Sequence, residues 1–504
     1  MDADHARGQP RPMATIGAAS ASPCVAPAAR AAHREGARGH FHLDALERSL
    51  VCASAERHGL LKVGLALTVR TSPATTIERL TQASRSVQQR HAILRCALRR
   101  GEAVGCREPL VLVPDEAVQV TVHRHDRTDA QSWRRAWPDI ERTPPPVEAS
   151  LLTLHAFVGE EHTDIVLVLD HAFCDGMSVA VLGHRLLGAL GALEPNGTLA
   201  PDDPDAVAQP LALPLSVALA GRGVRPRLQQ IWRIIRFLTT QLILHRDPIP
   251  FPVADATVPP AEIAAKTGTH LCMAELDASV TARLLARCRA ERTTISAIVT
   301  AAMILESDER HAERPIEALP SAGGVYARPW YGVSWAVDMR RRRVPPMGSE
   351  PLSYQVGSAR QFMRSAAALR AGEGRGAAIW QMARDADVHL QTRLAAGDAH
   401  AIAALIPHVY ARPLPYRGMA TIALSNWGVL PIEARYGAIE VRGAQPIVNQ
   451  RHFRMPLCLA STFQGRLRLS VQFAAPVIAP EPAQAMAEGL VQRLRAAVEA
   501  EAST

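Results

Sequence analysis

The chain of 504 residues is 48% hydrophobic and carries a formal net charge of +8. This length favours two domains over a single core, and no apolar run is long enough to span a bilayer. The N-terminus lacks the apolar segment of a secretory signal, so the sequence predicts a soluble, cytoplasmic protein.

Charge and cysteine usage exclude further classes. Lysine occurs only at Lys62 and Lys266, and the arginines are spread along the chain without a nucleic-acid-binding motif. We therefore expect no nucleic-acid partner and favour an acidic or phosphate-bearing one. The eight cysteines form no CxxC pair, which argues against a zinc ribbon and against a disulfide scaffold.

The first half of the chain predicts a disordered tail followed by an α/β domain. Residues 1–37 have no hydrophobic period, and the N-terminal domain is placed at 38–195. Its predicted elements in order are a helix at 43–59, a strand at 60–70, a helix at 75–100, strands at 118–126 and 149–159, a hairpin partner at 165–169 and a helix at 177–193.

A linker rich in Pro, Asp and Gly is predicted at 196–262. It contains one segment with helical spacing of apolar residues: Leu228, Ile231, Trp232, Ile235, Leu238 and Leu242. Arginines surround this stripe at 225, 227, 233, 236 and 246. The pattern predicts either a helix that lies on a membrane or lipid surface, or one docked across the domain junction.

A second α/β pattern predicts a C-terminal domain at 263–504. Its elements are a strand at 269–276, a helix at 277–293 with Asp277 as N-cap, a helix at 294–307, strands at 331–339 and 419–425, two strands within 456–473 and a closing helix.

One short segment, "DHAFCDG" at 170–176, stands out chemically. His-x-x-x-Asp occurs three times in the chain, but only His171 and Asp175 follow an apolar strand and precede a glycine. A neutral imidazole at a strand end suits a general base, and Gly176 permits a close backbone approach. Asp175 would pair with an arginine and fix the loop. Alternatively, His171 is a satisfied polar residue and Asp175 only caps the next helix.

This segment resembles the HHxxxDG motif of the superfamily related to chloramphenicol acetyltransferase. That superfamily includes nonribosomal peptide condensation domains, wax ester synthase/diacylglycerol acyltransferases, alcohol acetyltransferases and polyketide-associated acyltransferases. Four further segments resemble the superfamily in the same order: "RHAILRC" at 90–96, "VDMRRRRVPP" at 337–346, "LSNWG" at 424–428 and "STFQGRLRLSVQF" at 461–473.

The resemblance implies two chloramphenicol-acetyltransferase-like α/β sandwich domains with an active-site tunnel at their junction. It implies an acyltransferase of the HxxxD type, with His171 as general base and Asp175 and Gly176 as structural residues. Arg340 would pair with Asp175, unless the run of four arginines is one solvated basic patch.

The segment Ser425, Asn426, Trp427 and Gly428 would line the tunnel and supply an oxyanion donor. Trp427 is bulkier than usual there, which would narrow the channel.

The donor implied is a thioester of CoA or of an acyl carrier protein, with no permanently bound cofactor and no metal. The acceptor would be an alcohol, including a lipid-like one, and the enzyme a monomer with a peripheral membrane contact. The alternatives are amide formation of the condensation type, and an inactive relative that binds a carrier protein.

Asp170 departs from the superfamily pattern, because it stands where relatives often have a first histidine. The same letters also satisfy D-x-x-x-x-D-x-x-S through Asp170, Asp175 and Ser178. That second pattern is typical of heterocyclisation domains, in which the histidine is absent. Since His171 and Gly176 are both present here, we favour the first interpretation.

Overall fold

The computed structural model describes most of the chain in segments: residues 40–56, 61–104, 108–144, 146, 148–193, 209–220, 224–243, 251, 267–313, 330–364, 375–410, 420–453 and 455–499. The predicted tail at 1–37 lies outside the described residues, as does much of the predicted linker.

The helices are α1 Ala45–Glu56, α2 Ile77–Arg90, α3 Ser132–Ile140, α4 Gly176–Ala192, α5 Leu215–Ala220, α6 Val224–Ile243, α7 Ala278–Ala290, α8 Ile295–Glu313, α9 Arg375–Ala395, α10 Asp398–Tyr410 and α11 Pro480–Glu499. The strands of the first half are β1 Lys62–Arg70, β2 Cys96–Arg100, β3 Leu110–Pro114, β4 Thr121–Asp126, β5 Leu152–Val158 and β6 His162–Asp170. Those of the second half are β7 Gly268–Leu276, β8 Trp330–Asp338, β9 Val356–Arg364, β10 Ile422–Val429, β11 Arg435–Tyr436, β12 Ile439–Val448, β13 Leu457–Phe463 and β14 Arg466–Ala475.

Two mixed sheets organise these strands. The first has the order β11-β12-β1-β6-β5-β4 and the second the order β7-β14-β13-β10-β8-β9, while β2 and β3 form a separate pair. Helices cover the sheets, with an apolar core of fully buried side chains between. The predicted α/β architecture with two sheet-and-helix lobes is confirmed.

Strand β12 links the two halves of the sequence. In the first sheet, Leu65 of β1 pairs on one side with Leu167 of β6 and on the other with Pro446 of β12. A strand from the second half thus completes the sheet that carries the His171 segment. The predicted domain limits of 38–195 and 263–504 stay a prediction.

The predicted hairpin is confirmed, because Leu152 of β5 pairs antiparallel with Leu169 of β6. Asp277 accepts a hydrogen bond from the backbone N–H of Val280, so its predicted role as N-cap of α7 is also confirmed.

The predicted helix at 75–100 is wrong in its second part. Helix α2 ends at Arg90, because His91 has an extended backbone with φ −112° and ψ 109°. A short 3₁₀ turn follows, and Cys96–Arg100 forms strand β2, which pairs with β3. Leu94, whose spacing fits a helix, lies in that 3₁₀ turn, and the pairing of β2 with the next strand overrides helical spacing beyond it.

Helix α6 docks through the side that carries Gln230, Arg233 and the half-buried Phe237. Gln230 Nε2 donates to the carbonyl of His400 on α10 at 3.0 Å, and the stem of Arg233 lies over Gly397. The apolar residues of the predicted stripe from Leu228 to Leu238 do not pack against α10 but are exposed to solvent. The side chain of Leu242, and Arg246, lie outside the described part. Across all described segments, no helix combines the length and hydropathy needed to cross a bilayer.

Candidate active site

The His171 segment is a tight connection between β6 and α4. Strand β6 ends at Asp170 and helix α4 begins at Gly176. The backbone N–H of His171 donates to the carbonyl of Leu61, and that of Phe173 donates to the carbonyl of Asp170. Since Phe173 and Cys174 are fully buried, their packing holds the segment in one conformation.

The ring of His171 is fixed by its own loop. Nδ1 lies 2.7 Å from the backbone carbonyl of Cys174. A carbonyl only accepts hydrogen bonds, so Nδ1 carries the proton and Nε2 presents a lone pair. Burial lowers the pKa of the imidazole, and the Cys174 carbonyl and the Asp175 carboxylate oppose this only in part. The ring is therefore neutral at pH 7 and able to accept a proton.

Asp175 is both a helix cap and half of a buried ion pair. Its Oδ1 accepts from the backbone N–H of Ser178 at 3.0 Å, which caps α4. Both carboxylate oxygens also accept from Arg340, at 2.7 and 2.9 Å, and Oδ2 accepts from the backbone N–H of Gln355 at 2.9 Å. Asp175 therefore has both of the roles that the sequence offered as alternatives: it caps α4 and it pairs with an arginine.

The charge of Asp175 is stabilised where it lies. Burial by itself would raise the pKa of this carboxyl, but the Arg340 guanidinium and the backbone donors outweigh burial and lower it. Asp175 is 1% exposed and Arg340 is 3% exposed, so solvent barely screens the pair. The carboxylate therefore stays ionised and joins α4 to the turn after β8.

The basic run after β8 is not one solvated patch. Arg341 and Arg342 are exposed, but Arg340 and Arg343 are buried. Nη2 of Arg340 also donates to Ser178 Oγ at 2.8 Å, and Nη1 of Arg343 donates to the Gln355 side chain. Buried bidentate contacts of this kind need the planar guanidinium of arginine.

Trp427 lies against the start of α4. A Cβ placed on Gly176 would be 2.5 Å from Cζ2 of the Trp427 indole, so only glycine allows this contact. The segment 425–428 on β10 is thereby brought next to the His171 loop. Gly428 has φ +67°, which favours glycine, at a register shift between β10 and β13.

Ser425 and Asn426 differ in their surroundings. Asn426 is exposed, its Nδ2 donates to Ser296 Oγ at 3.0 Å, and its Oδ1 accepts from the backbone N–H of Gly428. Ser425 is half-buried and lies two residues before Trp427, which contacts Gly176.

Asp170 belongs to a separate buried network. Its Oδ2 accepts from Ser54 Oγ at 2.7 Å and lies 3.5 Å from Lys62 Nζ. Burial lowers the pKa of Lys62, and the Asp170 charge opposes that shift. Asp170 and Asp175 therefore have different partners, although both carboxylates oppose the lowering of the His171 pKa.

Sequence reasoning assigned nothing to the loop before β9. The ring of Tyr354 lies 5.1 Å from that of His171 between centroids, at 60°, and the neighbouring Ser353 accepts from Ser178 Oγ at 3.2 Å. With Gln355, these residues cover the His171 segment from the second half of the chain. No spacing or motif in "PLSYQV" signals this contact.

Burial raises the pKa of the Cys174 thiol well above its ordinary value. The thiol therefore stays protonated at neutral pH and is not a candidate nucleophile. Among the described residues, no three His, Cys, Asp or Glu side chains are arranged to hold a metal ion.

Comparison with known proteins agrees with this architecture. Residues 265–472 match the family model of the phthiocerol/phthiodiolone dimycocerosyl transferase C-terminus. A search of curated protein sequences gives no significant match.

Three solved structures have the same fold. Polyketide synthase associated protein 5 from Mycobacterium tuberculosis is 17% identical, with a TM-score of 0.61 over 91% of this chain and 98% of its own. TRI3 trichothecene 15-O-acetyltransferase from Fusarium sporotrichioides is 12% identical, with a TM-score of 0.66 over 90% and 94%. The EpoB NRPS cyclization-docking bidomain from Sorangium cellulosum is 15% identical, with a TM-score of 0.62 over 95% and 87%.

The predicted resemblance to the superfamily of chloramphenicol-acetyltransferase-like acyltransferases and condensation domains is thereby confirmed. Identities this low establish the fold and not the reaction, so the substrates must be argued from the site.

Proposed function

We propose that this protein is an acyltransferase that moves an acyl group from a thioester to an alcohol. The observation that carries the proposal is His171, whose Nδ1 is bonded to the Cys174 carbonyl and whose neutral Nε2 is left to accept a proton. A base of this kind contributes about 10²–10⁴ to a rate.

The proposed reaction uses the lone pair on Nε2. The alcohol O–H gives its proton to Nε2 while its oxygen attacks the thioester carbonyl carbon. The tetrahedral intermediate then collapses, the C–S bond breaks, and the imidazolium returns the proton to the departing thiolate. The products are an ester and a free thiol, and no cofactor remains bound.

Asp175 supports this step without contacting Nε2 of His171, the nitrogen that accepts the proton. Its oxygens are occupied by Arg340 and by the backbone N–H groups of Ser178 and Gln355. Asp175 therefore acts as a positioning residue that fixes the loop carrying His171. Gly176 serves the same end by admitting Trp427.

For the oxyanion we favour Ser425 over Asn426. The Asn426 amide is already bonded to Ser296, whereas Ser425 is half-buried and lies two residues before Trp427, which contacts Gly176. A hydroxyl donor there would stabilise the charge that develops on the carbonyl oxygen. Trp427 and Gly428 would line the proposed channel beside it.

The donor that we favour is CoA or a carrier protein, since both present an acyl phosphopantetheine thioester and both are acidic. The formal charge of +8 suits such a partner. A lipid-like alcohol is the favoured acceptor, and a cytoplasmic monomer stays a prediction from the sequence.

The test measures thiol release with a panel of acyl-CoA and acyl carrier protein donors against alcohol and amine acceptors. His171→Ala should lose at least about 10²-fold in turnover while the fold is retained. His162→Ala, at the other end of β6, is the matched control and should keep full activity.

Other outcomes separate the alternatives. Faster turnover of amines than of alcohols would favour amide formation. Carrier-protein binding without thiol release from any donor would favour an inactive relative. Full activity of His171→Ala together with loss in Asp170→Ala would replace our assignment with the heterocyclisation pattern.

A further inference from the structure

Helix α6 presents an apolar face to solvent. Six large apolar side chains along it are between 46% and 74% exposed: Val224, Leu228, Ile231, Trp232, Ile235 and Leu238. At 100° per residue these positions fall within an arc of about 120°. Scattered apolar residues are ordinary at a surface, but a continuous helical face of this kind indicates a partner.

The exposed face cannot turn inward, because the opposite side of the helix is already engaged. Gln230 donates to the His400 carbonyl, Arg233 lies over Gly397, and Arg236 Nη2 lies 3.7 Å from Oδ1 of Asp398. The helix is therefore held on α10 by these polar contacts, with the half-buried Ile234 and Phe237 on the same inner side, while the six exposed apolar residues face outward.

The charge on α6 has one sign. Val224–Ile243 contains four arginines and no Asp, Glu or Lys. Arg225 and Arg227 are exposed and flank the apolar arc on opposite sides. Long cationic side chains beside an apolar helical face can reach lipid phosphates while the face enters the acyl boundary.

We propose that α6 is a docking helix for a bilayer surface that contains anionic lipid. Charge complementarity selects this occupant. A second copy of the chain would bring the same arginines against each other, whereas an anionic headgroup layer attracts them. The inference rests on α6 alone and holds whether or not the chain transfers acyl groups.

The test is flotation of the full chain with vesicles of phosphatidylcholine, alone or mixed with phosphatidylglycerol. The wild type should float with the anionic vesicles and bind phosphatidylcholine at least about tenfold less, with binding weakened by salt. Ile231→Asp/Ile235→Asp should reduce flotation at least about tenfold, because it places charges in the face that would enter the lipid. The matched control is Val388→Asp on α9, a valine that is 63% exposed, and it should float like the wild type.

Trp232 gives a direct readout. It is 65% exposed, whereas Trp330 is half-buried and Trp133, Trp137, Trp335, Trp380 and Trp427 are buried. Brominated lipid in the anionic vesicles should quench the wild-type fluorescence and spare the Trp232→Phe variant.

Three results would overturn the proposal. One is a wild type that stays with the unbound fraction, and another is a double-Asp variant that floats as well as Val388→Asp. The third is a lipid-free dimer, seen by light scattering and abolished by the double-Asp change, because the face would then be an interface between copies.

Discussion

The ion pair between Arg340 and Asp175 gives the sharpest prediction for stability. Replacing Arg340 by Met removes two charge-assisted hydrogen bonds, of 2.7 and 2.9 Å, and leaves the carboxylate buried. The backbone donors of Ser178 and Gln355 remain, so Asp175 keeps part of its stabilisation.

The expected loss follows from burial. Removing one partner of a buried pair costs about 3–5 kcal/mol, since the remaining charge has no counter-charge. The two surviving backbone bonds place Arg340→Met at the lower end, at about 3 kcal/mol. Asp175→Asn/Arg340→Met removes the stranded charge and should recover part of that loss, which gives a coupling of about 2 kcal/mol.

Urea denaturation of Arg340→Met, Asp175→Asn and the double variant measures the loss of stability and the coupling. Arg341→Met, an exposed neighbour in the same run, is the control and should change stability by no more than about 0.5 kcal/mol. A loss in Arg340→Met that equals the control, or strict additivity in the double variant, would refute the reasoning.

The pH dependence provides a second check on the same pair. In the wild type the pKa of Asp175 is lowered from 3.8, so its contribution is present above that value and is lost as pH falls through the folded pKa. In Arg340→Met burial is no longer outweighed by the counter-charge, and the pKa of Asp175 should rise. Acidification then favours the folded variant, so its deficit relative to wild type should shrink at low pH.

Three further predictions concern other groups. Because burial lowers the pKa of His171 below 6.5, the pH profile of kcat/KM should be flat above pH 7 and fall at an inflection below 6.5; an inflection above 6.5 would contradict a neutral base. Gly176→Ala should cost about 1–3 kcal/mol in thermal unfolding through its contact with Trp427, and much less in a Trp427→Phe background; equal costs in both backgrounds would contradict that contact. Burial raises the pKa of Glu141 from 4.5 to about 7, although the N–H of Thr269 donates to it. Stability is therefore lost as pH rises from 4.5 through 7, and the loss is complete above that pH. Glu141→Gln should therefore stabilise the protein at pH 8 by up to about 3 kcal/mol and much less at pH 5. A larger stabilisation at pH 5 than at pH 8 would show that neighbouring groups offset the charge of the ionised carboxylate.

The local features of the site followed from the sequence because they depend on neighbours in the chain. An apolar strand, a short connection and a helix are set by hydrophobic period, and Gly176 marked a close approach. Arg340 was the first candidate among four arginines because it directly follows a strand.

The contacts between separate elements did not follow from the sequence. The helix prediction across 91–100 failed because Cys96–Arg100 pairs with β3, and strand propensity there depends on that partner. No sequence pattern around Tyr354 predicts its position beside His171. No pattern around Pro446 predicts that this residue lies in the first sheet.

The sequence by itself determined the elements, the connection from His171 to Gly176 and the amphipathic period of α6, because each is a property of a few consecutive residues. Only the tertiary structure decided which groups meet. It placed Asp170 with Lys62 and Asp175 with Arg340, and it put Trp427 on Gly176. It also turned the side of α6 that carries Gln230 toward α10. Those choices depend on how two sheets and their helices pack, and packing joins residues whose separation along the chain carries no periodic signal.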